Sequence, residues 1–183
     1  PADVTAIVNT ADDTILHGLH ISPDLDTITY TLADEINPET GWGLKDEGWK
    51  AMEMVSRYNG IDWFRLGDRD LGTHLYRTHR LSEGASLQQA TKEIAQAWDI
   101  PITILPVSND PIATLVTTEH GDEIGFQDYF VRLSHNVIVK DIRFSGITNA
   151  KPADGVIEKI KEASSIIIAP SNPIVSIGPI LEV

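Results

Sequence analysis

Four short apolar runs, each about the length of a strand and each followed at once by a tight polar cluster, punctuate the chain. Val4 to Val8 leads into Asn9-Thr10-Ala11-Asp12-Asp13, and Trp63 to Leu66 into Gly67-Asp68-Arg69-Asp70. Ile102 to Leu105 leads into Pro106 to Asp110, and Ile166 to Ala169 into Pro170-Ser171-Asn172-Pro173. Runs this short without polar alternation predict strands apolar on both faces. Helix-period stripes lie between them: Ala51, Met54, Val55 and Tyr58; then Leu87, Ala90, Ile94, Ala97 and Trp98; then Val156, Ile157, Ile160 and Ala163. Ser86 with Gln89 predicts a capped start for the second stripe. Ser22-Pro23-Asp24 predicts another helix start, with Ser22 as cap, Pro23 in the first turn and Asp24 favouring the dipole.

Strand and helix in alternation predict an α/β fold, a mostly parallel Rossmann-like sheet with helices on both faces. Ligands of such sheets bind beyond the carboxyl ends of the strands, so the four polar clusters are expected to converge. Between about residues 112 and 146 the pattern changes. Ile112 to Thr118, a turn at His120 to Glu123, Ile124 to Leu133 and Val137 to Phe144 predict an inserted antiparallel β meander that extends or flanks the main sheet. Some 35 residues make a poor core alone, so residues 1–183 are read as one domain.

Composition narrows the function classes. Lys+Arg number 14 against 27 Asp+Glu, a formal net charge of −13, which repels a phosphate backbone and argues against nucleic acid as partner. The chain has no cysteine, which excludes disulfides, thiolate metal sites and a cysteine nucleophile. Its apolar runs are too short for a membrane span, and the cytoplasm is the expected location. The chain opens on Pro1, and Ala2-Asp3 leads straight into the first strand; it stops at Val183 after a loop rich in Pro, Asn and Ser. It is therefore expected to be a piece of a longer protein.

Asp12, Asp13, Asp24, Asp26, Asp68, Asp70 and Asp110 all fall at strand exits or a helix start. Each alone has a plain reading as a cap or a solvated loop residue. Gathered together they would repel one another unless a cation neutralised them, and oxygen ligands without cysteine or paired histidines favour Mg2+ over Zn2+. Mg2+ held by one or two carboxylates commonly shares its shell with substrate phosphates, which points to phosphoryl chemistry. Arg65 and Arg69 flank the Gly67-Asp68 turn and either pair with the acids or grip a phosphate. Asn109, Ser171, Asn172 and Ser176 are neutral donors and acceptors that turn chemistry alone could explain. The histidines are read as structural or surface groups, except His74, which closely follows the Gly67–Asp70 turn.

Several segments together carry a family resemblance: Asn9 to Asp13, Ser22 to Thr27, Leu66 to Asp70 with Thr73-His74 and Arg77-Thr78, and Pro170 to Pro173 with Ser176 to Leu181. Glu39 to Gly43, Ile104-Leu105-Pro106 and Ala150-Lys151-Pro152 add to it. In order and spacing they resemble the 2-phospho-L-lactate transferase family, called phosphoenolpyruvate transferase in actinobacteria, which acts in coenzyme F-420 biosynthesis. The resemblance implies transfer of a phospholactyl or phosphoenolpyruvyl group from a guanosine diphosphate ester to the deazaflavin Fo, with Mg2+ and release of GMP, in a homodimer. It implies deazaflavin contacts at Asp26 and Arg65, metal and diphosphate contacts at Asp12, Asp13 and Asp24, and the Pro170–Ser176 loop near the nucleotide. A carboxylate near the attacking hydroxyl, Asp26 or Asp24, would orient it or accept its proton. Asp68, Arg69, His74, Asn109 and Asp110 complete the expected substrate-binding set. Family members begin with a strand and a Gly-rich phosphate loop that this stretch does not contain. The alternative reading is a nucleotide-sugar-binding regulatory protein of the related group that is not a transferase.

Overall fold

The computed structural model describes residues 3–183, so Pro1 and Ala2, which the sequence places just ahead of the first strand, lie outside the described residues. Strand β1 (Thr5–Val8) pairs in parallel with β4 (Thr103–Pro106), Thr5 opposite Thr103 and Val8 opposite Pro106. A parallel pair needs a long crossover. Here it contains the β2 (Thr14–Leu16) and β3 (Leu19–Ile21) hairpin and four helices: α1 (Pro23–Leu32), α2 (Lys50–Arg57), α3 (Asp68–Ser82) and α4 (Leu87–Ala97). The hairpin turns on His17 and Gly18, both with positive φ, the backbone that a tight two-residue hairpin demands.

The parallel pair has helices on both faces, as the α/β pattern predicts. On one face Val8 and Ile104 pack against Leu25 of α1 and Leu87 and Ala95 of α4. On the other, Leu105 packs against Ala153 and Val156, at the start of α5 (Val156–Glu162), with Ile7 beside them. A second core, Leu16, Ile21, Met52 and Leu66, joins the hairpin to α2 and the chain entering α3.

The inserted region forms its own antiparallel sheet rather than extending the parallel one. Strand β5 (Ala113–Thr118) lies between β6 (Glu123–Gly125) and β7 (Val139–Ser145). The strand expected over Ile124 to Leu133 ends at Gly125, and Asp128–Arg132 forms a π-helical turn. The chain closes with a π-helical turn at Pro173–Ile177 and the short helix α6 (Gly178–Glu182).

Two of the four predicted strands are not strands. Trp63 to Leu66 is irregular: Leu66 is buried in the second core and Phe64 packs against it, so apolar packing holds this run without a ladder. Ile166, Ile167 and Ile168 are likewise unpaired, and their exposure runs from 66% to 88%. An apolar run becomes a strand only beside a partner edge, and among the described residues β1 is paired on the β4 side alone. The helix stripes need smaller corrections. In α2 the buried residue is Met52, while Met54 and Tyr58 face solvent; in α5 Val156 alone is buried. Ser86 caps α4 by accepting from the Gln89 N–H, as expected. Ser22 does not cap α1 with its side chain, which is drawn instead to Asp13.

Gly146 turns the chain after β7 at φ +85°, where a Cβ would run into the Pro111 carbonyl oxygen. Gly84, after α3, has φ +91° with open space around it. Gly146→Ala is expected to cost more than about 1 kcal/mol, and clearly more than Gly84→Ala, when both are compared by urea unfolding.

Candidate functional site

The chain leaving β1 builds the first part of the site. Asn9 folds it back, its Oδ1 accepting from the Ala11 N–H at 3.0 Å. Asn9 Nδ2 donates to Asp24 Oδ2 at 2.8 Å and to the Val175 carbonyl at 3.3 Å. One side chain thus ties the strand exit, the start of α1 and the Pro173–Ile177 turn together. The loop is fixed to the inserted sheet as well. The Thr114 N–H donates to the Ala11 carbonyl at 2.7 Å, and Gln127 Nε2 donates to the Asp12 carbonyl at 3.2 Å.

Three carboxylates follow from this folding. Asp13 Oδ2 accepts from Ser22 Oγ at 2.7 Å and lies 2.9 Å from His20 Nε2, whereas Asp13 Oδ1 is buried with no partner. Asp12 is 7% exposed and its Oδ1 is also unpartnered; Thr114 lies beside it, yet neither the Thr114 hydroxyl nor that oxygen finds a hydrogen bond. Burial first, and Asp24 second, push the Asp12 carboxyl up to about 7. Burial likewise raises Asp13, opposed by His20, Ser22 and the charge of Arg77, and raises Asp24, opposed by Asn9 and reinforced by Asp13. Buried acids that repel one another, with an oxygen of Asp12 and one of Asp13 left without a donor, form a site short of positive charge. Their hard oxygen donors suit Mg2+ in kind, and the Asp12 and Asp13 Oδ1 atoms are without hydrogen bonds, although among the described residues Asp12, Asp13 and Asp24 do not bring three ligand atoms within 4.8 Å of one another.

Asp12 and Asp13 also line a cleft of about 380 Å³. Trp63, Phe64 and Ile61 come from the irregular run before α3, Ile15 from β2, and Phe126 and Arg132 from the insert. Trp63 and Phe64 meet edge to face at 5.9 Å between ring centroids, and Phe126 stacks on Phe130 at 5.6 Å. The cleft is therefore apolar and aromatic along much of its wall and acidic where it meets the strand exit.

A second cluster lies buried among α1, α3 and β3. Arg77, 1% exposed, grips both oxygens of Asp26 and donates to the His20 carbonyl at 3.3 Å. His74 stands between acids, Nδ1 3.6 Å from Asp26 and Nε2 3.2 Å from Asp70, the latter without hydrogen-bond geometry. The Tyr30 hydroxyl donates to Asp70 Oδ1 at 2.6 Å. Burial raises Asp70, but His74, Tyr30 and Arg77 outweigh it and hold the carboxyl below its usual value. Asp26, Asp70 and His74 bring their ligand atoms within 4.8 Å of one another, the spacing of a metal site, yet the Arg77 guanidinium already supplies the cation there.

The expected convergence of polar clusters is thus only partial. Asp12, Asp13 and Asp24 share one neighbourhood, and Asn172 joins it indirectly, capping the turn that delivers the Val175 carbonyl to Asn9. Asp26 and His74 belong to the buried cluster. Asp68 caps α2, accepting from the N–H groups of Lys50 and Ala51. Arg69 pairs with Glu35 and the Lys45 carbonyl, and Arg65 lies 4.2 Å over the Trp49 ring. Asn109 accepts from the Gln88 N–H and Asp110 from the Lys151 N–H, so both serve loop structure. Ser171 is exposed and Ser176 half-buried, its N–H donating to the Asn172 carbonyl. Sequence reasoning missed His20 and passed over Arg77, although Asp70, His74 and Arg77 recur at helical spacing on one face of α3.

Among the described residues no helix is long and apolar enough to cross a membrane. The family model for 2-phospho-L-lactate transferase CofD matches residues 1–183. A phosphoenolpyruvate transferase from Kitasatospora aureofaciens is 46% identical over 185 residues, and one from Mycobacterium ulcerans is 45% identical over 188. These alignments take in 99% of this chain but 58% and 57% of those relatives. In fold, the chain is similar to the crystal structure of a upf0052-family protein from Bacillus halodurans, with a TM-score of 0.61 at 19% identity, over 99% of this chain and 55% of that one. With whole-chain agreement in both family pattern and identity, the chain belongs to the 2-phospho-L-lactate transferase CofD family.

Proposed function

We propose that this chain forms part of an enzyme that transfers a phospholactyl or phosphoenolpyruvyl group from a guanosine diphosphate ester to the deazaflavin Fo, releasing GMP. The relatives' names support the transferase class, and the observation that carries the reading is the aromatic-walled cleft that ends on buried, unpartnered carboxylates. A flat heterocycle with a polyhydroxy side chain matches both halves of such a cleft. Its ring would lie against Trp63, Phe64 and Phe126, while its hydroxyl end approaches Asp12 and Asp13.

In the reaction the ribityl hydroxyl oxygen forms a bond to the phosphorus that carries the lactyl or enolpyruvyl oxygen. The bond from that phosphorus to the bridging oxygen breaks, and GMP leaves with the oxygen. Asp12, Asp13 and Asp24 would hold Mg2+, which when bound neutralises charge on the diphosphate. Of the two acids expected near the attacking hydroxyl, Asp26 has both oxygens on Arg77, whereas Asp24 carries a hydrogen bond at Oδ2 alone. We therefore give Asp24 the task of orienting the hydroxyl and accepting its proton, with Asp26 in a supporting place.

Mixing the chain with the guanosine ester, Fo and Mg2+ tests the reading. GMP is expected in step with a deazaflavin phosphodiester, and none without Fo. GMP formed without Fo would mark a hydrolase, and binding of a UDP-sugar with no response of Fo fluorescence would favour the regulatory alternative. Trp63→Ala should raise the KM for Fo roughly tenfold, given about 0.5–1.5 kcal/mol per aromatic contact plus lost area, with a smaller change in kcat. Asp24→Asn should lower kcat by about a hundredfold or more at saturating substrates.

Stability should carry the charge imbalance too. Asp12 is raised from 3.8 to about 7 on folding, so across that window the folded chain binds more protons than the unfolded one. Stability without divalent cation is therefore expected to fall as pH climbs through the window and to level off above it. Mg2+ should relieve the loss at the alkaline end, and Asp12→Asn should flatten the profile; thermal melts across pH read both.

A further inference from the structure

Asp13 is anchored through one oxygen only, and the group that anchors it is itself held with unusual completeness. The His20 N–H donates to Thr78 Oγ1 at 2.7 Å, and the His20 carbonyl accepts from Arg77 at 3.3 Å. Two consecutive residues of α3 thus fix both backbone polar groups of this one residue of β3. Its imidazole then reaches Asp13 Oδ2 at 2.9 Å, where Ser22 Oγ adds a second contact at 2.7 Å. Both donors converge on the same oxygen and leave Oδ1 buried without a partner.

We propose that His20 is a positioning residue: held by α3, it clamps Asp13 through Oδ2 so that Oδ1 is presented to a divalent cation. The inference rests on the reading of Asp12, Asp13 and Asp24 as cation ligands. A carboxylate pinned at one oxygen loses its rotational freedom before the cation arrives, so that entropy is not lost again on binding. If His20 did no more than satisfy a buried acid, the donors would be expected to serve both oxygens, since an unmet buried oxygen costs about 1–3 kcal/mol. With Asp13 ionised, Nε2 carries the hydrogen and donates it, which favours the ionised carboxylate that a cation requires without contact between His20 and the ion.

Mn2+ alone, followed by paramagnetic resonance and calorimetry at one fixed pH and with Mg2+ as competitor, tests this without turnover. His20→Leu, which keeps bulk but removes the donor, is expected to weaken Mn2+ binding by about tenfold or more, and His20→Gln, which keeps a donor, to restore most of it. Ser22→Ala, which removes the other donor at little cost in volume, should weaken binding in the same direction and reads the clamp even if His20→Leu does not fold. Wild-type affinity in His20→Leu, or in Ser22→Ala where His20→Leu is unfolded, while Asp12→Asn and Asp13→Asn lose the ion, overturns the clamp and leaves the cation site standing. Undiminished binding in Asp12→Asn and Asp13→Asn overturns the cation reading and the clamp with it.

Discussion

The grip of Arg77 on Asp26 is the contact on which the rest of the site depends. A buried guanidinium is tolerable only with its charge matched and most of its N–H groups satisfied. Here the match comes from α1, and a further bond goes to β3, so one side chain of α3 fixes three elements in relative position. Asp26 lies in the first turn of α1, two residues after Asp24, and His20 sits in the strand that reaches Asp13. Both arms of the acidic loop are therefore set from below by the same charge.

That arrangement sorts the acids by how far they are compensated. Asp26 and Asp70 have Arg77, His74 and Tyr30 around them, and Asp70 stays low in spite of burial. Asp12 and Asp24 have only neutral donors around them, Asp13 has Ser22, His20 and the charge of Arg77 without a hydrogen bond to it, and all three are raised. A fold that bonds a buried guanidinium to one cluster and lets its neighbour feel that charge only through space separates scaffold from site. A mobile ion can enter the second cluster and leave again; a covalently tethered guanidinium cannot.

The hydrophobic pattern made the parallel pair, the α4 cap and the antiparallel insert legible, because each depends on local periodicity or local capping. It misplaced strands at Trp63–Leu66 and Ile166–Ala169 because apolarity reports burial or stickiness, while a strand also needs a neighbouring edge. Asp12, Asp13 and Asp24 could be read from their position at a strand exit and a helix start. The division between them and Asp26 could not, since it turns on Arg77, which lies 51 residues away from Asp26 and has no sequence mark beyond its spacing on α3. Asp68, Arg69 and Asp110 looked like ligands for the same reason that they work as caps and loop ties: both tasks favour charged groups at element ends.

The insert is more than a flank to the sheet. Its β5 backbone holds the Ala11 carbonyl, its Gln127 holds the Asp12 carbonyl, and its Phe126 and Arg132 form part of the cleft. The acids come from the parallel α/β part of the chain and the facing wall from the antiparallel part, with the loop after β1 fastened to both. A change at Phe126 or Arg132 can therefore alter the shape offered to a flat ligand without removing a hydrogen bond that holds Asp13 or Asp24. The reverse also holds, because the α3 contacts that set Asp13 do not run through the insert. Charge placement and shape selection thus meet at Asp12, the residue held by the insert through its carbonyl and raised by burial and by the charge of Asp24.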